Sequence, residues 1–144
     1  MKVDIYITTT FGGSFASGTG AYGILLRTMR GNRPATREHF AGWSGISIQK
    51  LNVRAAAEAL RYMTTPCDVV LHTDNSYIKY VAEHGDTNGK FPDLWLSFFA
   101  SRNRMRSVCV ELESEHEYKA YLQEKLAEGR YTVIKDDGKE GNKA

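Results

Sequence analysis

The sequence of 144 residues lacks the features that mark several classes of protein. Its two cysteines, Cys67 and Cys109, lie in apolar runs and form no Cys-x-x-Cys or Cys/His spacing, which predicts buried, reduced thiols and no zinc or redox site. No apolar stretch approaches the ~20 residues of a membrane span. The Met1-Lys2-Val3 start has no signal-peptide core. We therefore expect a cytoplasmic protein that does not bind membranes.

An excess of charge of one sign is also missing. Lys and Arg number 19 against 17 Asp and Glu, a net charge of +2, so the balance excludes a dedicated nucleic-acid coat and by itself indicates no partner. A chain of this length fits one domain that buries roughly two thirds of its unfolded surface. We predict a single domain over residues 1–134. The tail over residues 135–144, "KDDGKEGNKA", has no apolar residue except its last alanine, so we expect it to be disordered.

The first part of the chain has the alternation of apolar and polar residues that is typical of strands. Residues 2–8 predict one strand, and residues 21–29 and 36–44 predict two more. The links between them are short and rich in turn residues, and "GGSFASGTG" favours a hairpin turn over a phosphate-binding loop because no helix follows it. The three strands should form an antiparallel meander.

The rest of the chain alternates helices with strands. Apolar residues recur at helical spacing from Ser47 to Met63, and Pro66 marks the stop. Residues 67–73 predict a buried strand, two helices follow, and residues 107–113 predict a last strand before a final helix. The predicted fold class is α/β, a mixed five-stranded sheet in which an antiparallel meander adjoins parallel strands, flanked by helices.

The strand ends predict where a site would lie. Ligand sites in such sheets gather at the carboxyl ends of strands. The run Thr8–Thr10 and the run His72–Asp74 should therefore face one another at one rim of the sheet. The first strand brings three threonines and no carboxylate to this rim.

The order of elements, together with five local motifs, resembles the ribonuclease H family. The motifs span about residues 2 to 128 and are "VDIYITTT" with the Gly-rich loop ending in "GAYGILL", "AAAEAL", "VVLHTDNSYI", "PDLW" and "QEKLA". The resemblance implies a ribonuclease H-like fold. It also implies a nucleic-acid substrate, in particular an RNA/DNA hybrid.

In that family four carboxylates hold two Mg²⁺ ions, which activate a water and stabilise the leaving oxygen of a phosphodiester. Carried over to this sequence, the first carboxylate falls on Thr8. The second falls on Gln49 or on Ala56, depending on how the helix is aligned. The third falls on Asp74 and the last on Glu124, so Asp74 and Glu124 are the candidate magnesium ligands. At best two of four acidic positions survive, and we expect at most one weakly held ion.

Other polar residues near the rim allow two interpretations each. Asp74 is either a metal ligand or, like Asn75, a cap for the following helix. His116, with Glu113, Glu115 and Glu117, forms either a replacement metal or acid–base cluster or a set of acids that complements the helix dipole. For His72, on a buried strand, we favour a hydrogen-bonded core histidine.

The arginines also allow two interpretations. They are either phosphate-binding surfaces or part of a solvated face, and they are Arg27, Arg30, Arg33, Arg102, Arg104 and Arg106.

These observations lead to three hypotheses about function. We favour a ribonuclease H-like domain whose two-metal site has degenerated, which is inactive or weak and binds nucleic acid or a protein partner. The first alternative is a divergent but active ribonuclease H, in which Asp4 or Glu113 completes the site with Asp74 and Glu124. The second alternative is a protein-interaction module without affinity for nucleic acid, which the small net charge allows.

Overall fold

The computed structural model describes residues 1–137, which fold into one mixed sheet with helices on both faces. The strands are β1 (Lys2–Ser14), β2 (Ser17–Arg30), β3 (Arg33–Ile46), β4 (Asp68–Thr73), β5 (Ser107–Leu112) and β6 (Val133–Lys135). The helices are α1 (Ile48–Arg61), α2 (Ser76–His84), α3 (Pro92–Arg104) and α4 (Lys119–Glu128). None of these helices within residues 1–137 is both long and apolar enough to cross a membrane.

The strand order in the sheet is β5-β4-β1-β2-β3-β6. The meander is confirmed, because β1 pairs antiparallel with β2, and β2 pairs antiparallel with β3. Strand β4 runs parallel to β1, and β5 runs parallel to β4. The hairpin is confirmed as well, since β1 and β2 stay paired as far as Ser14 and Ser17.

The sheet has six strands, so our prediction of five was wrong. Strand β6 has three exposed residues and pairs parallel with β3, from Gly42–Val133 to Ser44–Lys135. Such a short exposed strand carries no periodic signal, and its pairing depends on the long strand beside it. Lys135 belongs to this strand and Asp136 is buried, although both lie in the segment that we predicted as a tail. The other tail residues, 138–144, lie outside the described residues.

Helix α1 covers one face of the sheet, which we name the α1 face. Helices α2 and α3 pack against α1. The Ser47 hydroxyl caps α1 by accepting a hydrogen bond from the Lys50 amide at 3.1 Å, which satisfies one unpaired amide of the first turn. Alternation in β1 points Val3 and Ile5 to this face, where they join Leu51 and Leu60 in the main apolar core. This face holds most of the buried apolar surface.

The opposite face, which we name the α4 face, is covered by α4 alone. Its apolar cluster contains three buried residues, Tyr6, Leu25 and Leu122. Gly23 makes the close approach possible, because a Cβ there would lie 2.8 Å from the Phe40 ring and 3.2 Å from Leu122. The remainder of this face is lined by polar residues that bond to one another, and these lead to the rim.

The two cysteines differ in environment. Cys67 is buried, as we predicted, whereas Cys109 is exposed and our prediction for it was wrong. The reason is that β5 lies at the edge of the sheet, so the alternate residues of its apolar run face solvent.

Candidate functional site

A cavity of about 160 Å³ opens beside the end of β4, next to the middle of β1. Thr8, Asp74, Glu113, His116 and Gln123 are among the residues that line it. Members of the two predicted runs therefore meet, although β1 continues to Ser14, past the end at residue 8 that we predicted. The cavity combines residues of β1 and Asp74, which directly follows β4, with residues from the segment that precedes α4 and from α4 itself.

Thr8 is buried and bonded to a histidine at the wall of this cavity. Its Oγ1 lies 3.1 Å from Nε2 of His116, and Nδ1 of His116 accepts a hydrogen bond from the Tyr118 amide at 3.2 Å. Because Nδ1 is an acceptor, the neutral ring carries its proton on Nε2 and donates it to Thr8. His116 is only 6% exposed. Burial lowers the pKa of His116, outweighing the Ile7 carbonyl and Glu113, which raise it.

Asp74 lies at the edge of the cavity with an exposed side chain. It is not the cap of α2, because the Asn75 side chain accepts the hydrogen bond from the Ile78 amide at 3.2 Å. Of the two capping residues that the sequence allowed, the structure selects Asn75, whose backbone is extended as a cap requires. Within residues 1–137, the Asp74 carboxylate makes no side-chain hydrogen bond, so it is available to a ligand.

Glu113 contributes the second carboxylate of the cavity, but it also bonds to His72. Its Oε1 lies 2.7 Å from Nδ1 of His72, and the other ring nitrogen lies 3.0 Å from Oδ1 of Asp4. Our interpretation of His72 as a buried, hydrogen-bonded histidine is confirmed. The Tyr6 ring stacks on the imidazole with centroids 4.3 Å apart. Burial raises the pKa of Asp4. The His72 hydrogen bond, the Lys2 charge and the Arg27 hydrogen bond together outweigh burial, so the pKa lies below its ordinary value and the carboxylate stays ionised.

The remaining predicted site residues lie away from the cavity. Gln49 is half-buried in the first turn of α1, and Ala56 is fully buried in the main core. Glu124 is exposed on α4 near Tyr121, and the preceding residue, Gln123, lines the cavity instead. A shift of one residue turns a helical side chain by about 100°, so the position of the last ligand depends on the register of α4. The sequence did not single out Gln123.

The acids around His116 do not converge on one point. Glu115 bonds to Lys119, whereas Glu117 bonds to Arg27 at 2.7 Å and accepts a hydrogen bond from Tyr6 at 3.3 Å. Across residues 1–137, no group of three or more His, Cys, Asp or Glu side chains is placed to hold a metal ion. The donors at the rim therefore do not fit a pair of Mg²⁺ ions, because hard oxygen ligands must surround each ion.

Three arginines at the end of α3 and directly after it serve the fold. Arg102 donates to the Ala82 carbonyl at 3.0 Å and lies over the Phe99 ring. Arg104 donates to the Met63 carbonyl at 3.3 Å, and Arg106 pairs with Asp68. These contacts explain the three residues without a phosphate ligand.

Comparison with known proteins identifies the family. No protein-family model matches the chain. The chain is similar to a ribonuclease H from Janthinobacterium sp. (strain Marseille), with 34% identity over 116 residues that cover 72% of this chain and 76% of the relative. The structure of LC9-RNase H1, described as a type 1 RNase H with the type 2 active-site motif, has a TM-score of 0.69 at 18% identity and covers 90% of this chain and 73% of its own. A foamy viral protease-reverse transcriptase in complex with an RNA/DNA hybrid has a TM-score of 0.64 at 13% identity, covering 84% of this chain and 18% of its own. The chain therefore belongs to the ribonuclease H family, and the resemblance of its motifs is confirmed.

Proposed function

We propose that this chain is a ribonuclease H-family domain that binds nucleic acid but does not support two-metal cleavage. The observation that carries the proposal is the pair of Thr8 and His116. The family pattern requires a carboxylate at the position of Thr8 in β1, and this chain has a buried hydroxyl there that accepts a hydrogen bond from a neutral histidine. This pair offers no anionic oxygen to a cation.

The electrostatics of the rim support the same proposal. Two divalent cations roughly 4 Å apart repel each other strongly, so several anionic oxygens must surround them. Asp74 and Glu113 are the two carboxylates that line the cavity, and Glu113 is 2.7 Å from the His72 ring. A formal charge of about −2 holds at most one Mg²⁺ weakly, because water competes for the ion at each missing ligand.

The proposed nucleic-acid partner is an RNA/DNA hybrid. The support is the chain's membership of the ribonuclease H family and its similarity to a viral protein that was solved with such a hybrid. The substrate face would be the rim around Thr8 and Asp74. Binding without cleavage would then depend on contacts to the phosphate backbone, and its affinity should fall as salt rises.

Cleavage is tested with a labelled RNA/DNA hybrid in Mg²⁺ and, separately, in Mn²⁺. We expect no more product from the chain than from its Asp74→Asn variant, because a single weak ion cannot drive the reaction. The matched gain-of-charge variant is Thr8→Asp with Gln123→Asp, which adds two carboxylates to the cavity. Product that depends on Asp74 in the unaltered chain would overturn the proposal.

Binding is tested with the same hybrid by fluorescence anisotropy over a range of salt concentrations. We expect a measurable affinity at low salt that declines steeply as salt increases. Asp74→Asn should leave this affinity unchanged or increase it, because the substitution removes a negative charge that faces the phosphates. No binding at low salt would favour the protein-interaction module.

A second candidate function is a divergent, active ribonuclease H. It is favoured by the presence of Asp74 and Glu113 in one cavity and by the similarity of the chain to relatives that are named ribonuclease H. Asp4, which the sequence also offered as a third acid, is bonded to His72 and Arg27 on the α4 face and does not line the cavity. The cleavage experiment with Asp74→Asn and a matching Glu113→Gln variant separates the two functions.

A further inference from the structure

A larger cavity, of about 310 Å³, lies at the opposite end of the sheet from the rim. It is bounded by the β2–β3 hairpin on one side and by the segment after α1 on the other. Val3 and Cys67 line it near the starts of β1 and β4, whereas Thr8 lies in the middle of β1 and Asp74 directly after the end of β4. The two cavities are therefore separate, and the proposed hybrid site does not use this one.

The lining of this cavity is basic and contains no acid. Its fourteen lining residues, all within the described part of the chain, include three arginines and no Asp or Glu. The Arg27 guanidinium is already paired on the α4 face, 2.7 Å from Glu117 and 3.4 Å from Asp4. Its charge is therefore largely compensated outside the cavity.

Arg30 and Arg37 are in a different position. Both are exposed, and neither forms an ion pair with any carboxylate of residues 1–137. Arg102, Arg104 and Arg106, by contrast, all bond to backbone or acidic groups. Two positive charges without an acidic neighbour at the mouth of a cavity attract an anion, and the planar guanidinium matches a phosphate with two parallel hydrogen bonds.

The floor of the cavity is apolar. Val3, Leu26 and Met63 are buried there, and the ring of Tyr62 forms part of the wall. Thr64 and Thr65 add exposed hydroxyls at the mouth. Apolar surface that remains accessible is added by the exposed Met1 and the half-buried Tyr62 ring. An organic anion would cover this surface and gain the hydrophobic contribution, whereas a bare inorganic anion would leave it in water.

We propose that this cavity binds a small phosphate monoester with an aromatic or apolar body, of the size of a nucleoside monophosphate. Arg30 and Arg37 hold the phosphate, and the apolar floor holds the body. The volume is at the lower end of the range of roughly 300–1,000 Å³ for ligand pockets, which admits one nucleotide and excludes a duplex. The site is independent of the hybrid site, so a failure of either proposal leaves the other standing.

The test is a titration of the full chain with adenosine 5′-monophosphate, followed by amide NMR shifts of Thr28, Thr64 and Thr65. We expect saturable shifts at low salt. Arg30→Ala and Arg37→Ala should each weaken binding about tenfold, which is the effect of losing one charge-assisted hydrogen-bonded pair. The matched control is Arg33→Ala, which removes the same charge from the same hairpin but does not line the cavity, and it should change the affinity less than twofold.

Three further ligands test the parts of the proposal. Adenosine should bind at least tenfold more weakly than the monophosphate, and inorganic phosphate should also bind more weakly. A 5′-phosphorylated trinucleotide should bind no more tightly than the monophosphate, because the cavity holds one nucleotide. Shifts that do not saturate, equal losses in Arg33→Ala and Arg37→Ala, or tighter binding of adenosine or of the trinucleotide would each overturn the proposal. Thermal unfolding of each variant verifies that it is folded.

Discussion

The two faces of the sheet use polar residues in opposite ways. On the α1 face, buried charged groups pair with one another: Lys50 and Arg54 each lie 2.8 Å from Asp136, and Lys50 and Asp136 have side chains that are 1% exposed. On the α4 face, Asp4, Tyr6 and Thr8 occupy alternate positions along β1. Asp4 and Thr8 bond to the buried histidines His72 and His116, whereas Tyr6 bonds to Glu117, whose side chain is 59% exposed. The first arrangement serves stability, and the second leads to the candidate site.

The row of polar residues on the α4 face leads to the candidate site. Alternate residues of β1 point to the same face, so Asp4, Tyr6 and Thr8 form a row that ends at the cavity. His72 and His116 bond to members of this row. Under the proposed function, these internal hydrogen bonds take the place of the free anionic oxygens that two-metal chemistry needs.

The largest expected effect tests the contrast in burial between the two faces. Asp136→Ala should lower the free energy of unfolding by about 3–5 kcal/mol, because it leaves the Lys50 ammonium buried without its carboxylate. The matched change on the α4 face is Glu117→Ala, which removes an acid that is 59% exposed and should cost less than about 1 kcal/mol. Urea unfolding of the two variants measures both values. Similar losses would show that the two faces do not differ as the geometry indicates.

Apolar packing provides the second comparison. Leu60→Ala on the α1 face should cost about 3–5 kcal/mol, and Leu122→Ala on the α4 face about 2–3 kcal/mol. Both side chains are fully buried, but the cluster around Leu122 is small and covered by one helix, so the neighbours can relax into the space. The measurement is again urea unfolding, and a larger loss for Leu122→Ala would reverse the ranking of the faces.

The pH dependence of stability tests the neutral His116. The fold lowers the pKa of His116 from its ordinary value of 6.5. Below pH 6.5 the ring therefore takes up a proton more readily in the unfolded chain than in the folded one, which favours unfolding. The pKa of the half-buried His39 is also lowered, by partial burial and by the nearby Arg37 charge, and it contributes with the same sign. Stability should be fully present above pH 6.5 and fall by up to about 1.4 kcal/mol per pH unit for each histidine below it.

The variant for this measurement is His116→Gln, whose unfolding free energy should depend less steeply on pH between about 7.5 and 5.5. The exposed His84 provides the control, and His84→Gln should retain the slope of the unaltered chain. An unchanged slope in His116→Gln would show that folding does not shift the pKa of the His116 ring.

The smallest effect concerns the hydrogen bond at the rim. Thr8→Val keeps the shape of the side chain but removes the acceptor for His116, and it should cost about 1 kcal/mol. Thr10→Val, at an exposed position on the same strand, should stay within about 0.5 kcal/mol of the unaltered chain. Equal effects in thermal unfolding would mean that the bond between Thr8 and His116 contributes nothing to stability.

Strong local patterns made most of the fold predictable. The helical spacing and the stop at Pro66 identified α1, and the alternation in β1 to β3 identified the meander. Strand β6 was missed because three exposed residues have no period, and the burial of Asp136 depends on Lys50, 86 positions earlier in the chain. At the rim, Thr8 and Asp74 followed from strand ends, whereas Gln123 could not be separated from Glu124 without the orientation of α4.

The sequence by itself determined that the position of Thr8 in β1 carries no carboxylate, because the residue type at that position is fixed before folding. Only the tertiary structure decided what takes the place of the acid, since the bond of Thr8 to His116 joins positions 108 apart in the chain. Local periodicity is a property of neighbouring residues, and it specifies which face a side chain occupies. Which residue a side chain bonds across a cavity depends on how distant segments of the chain pack together, and no local pattern encodes that packing.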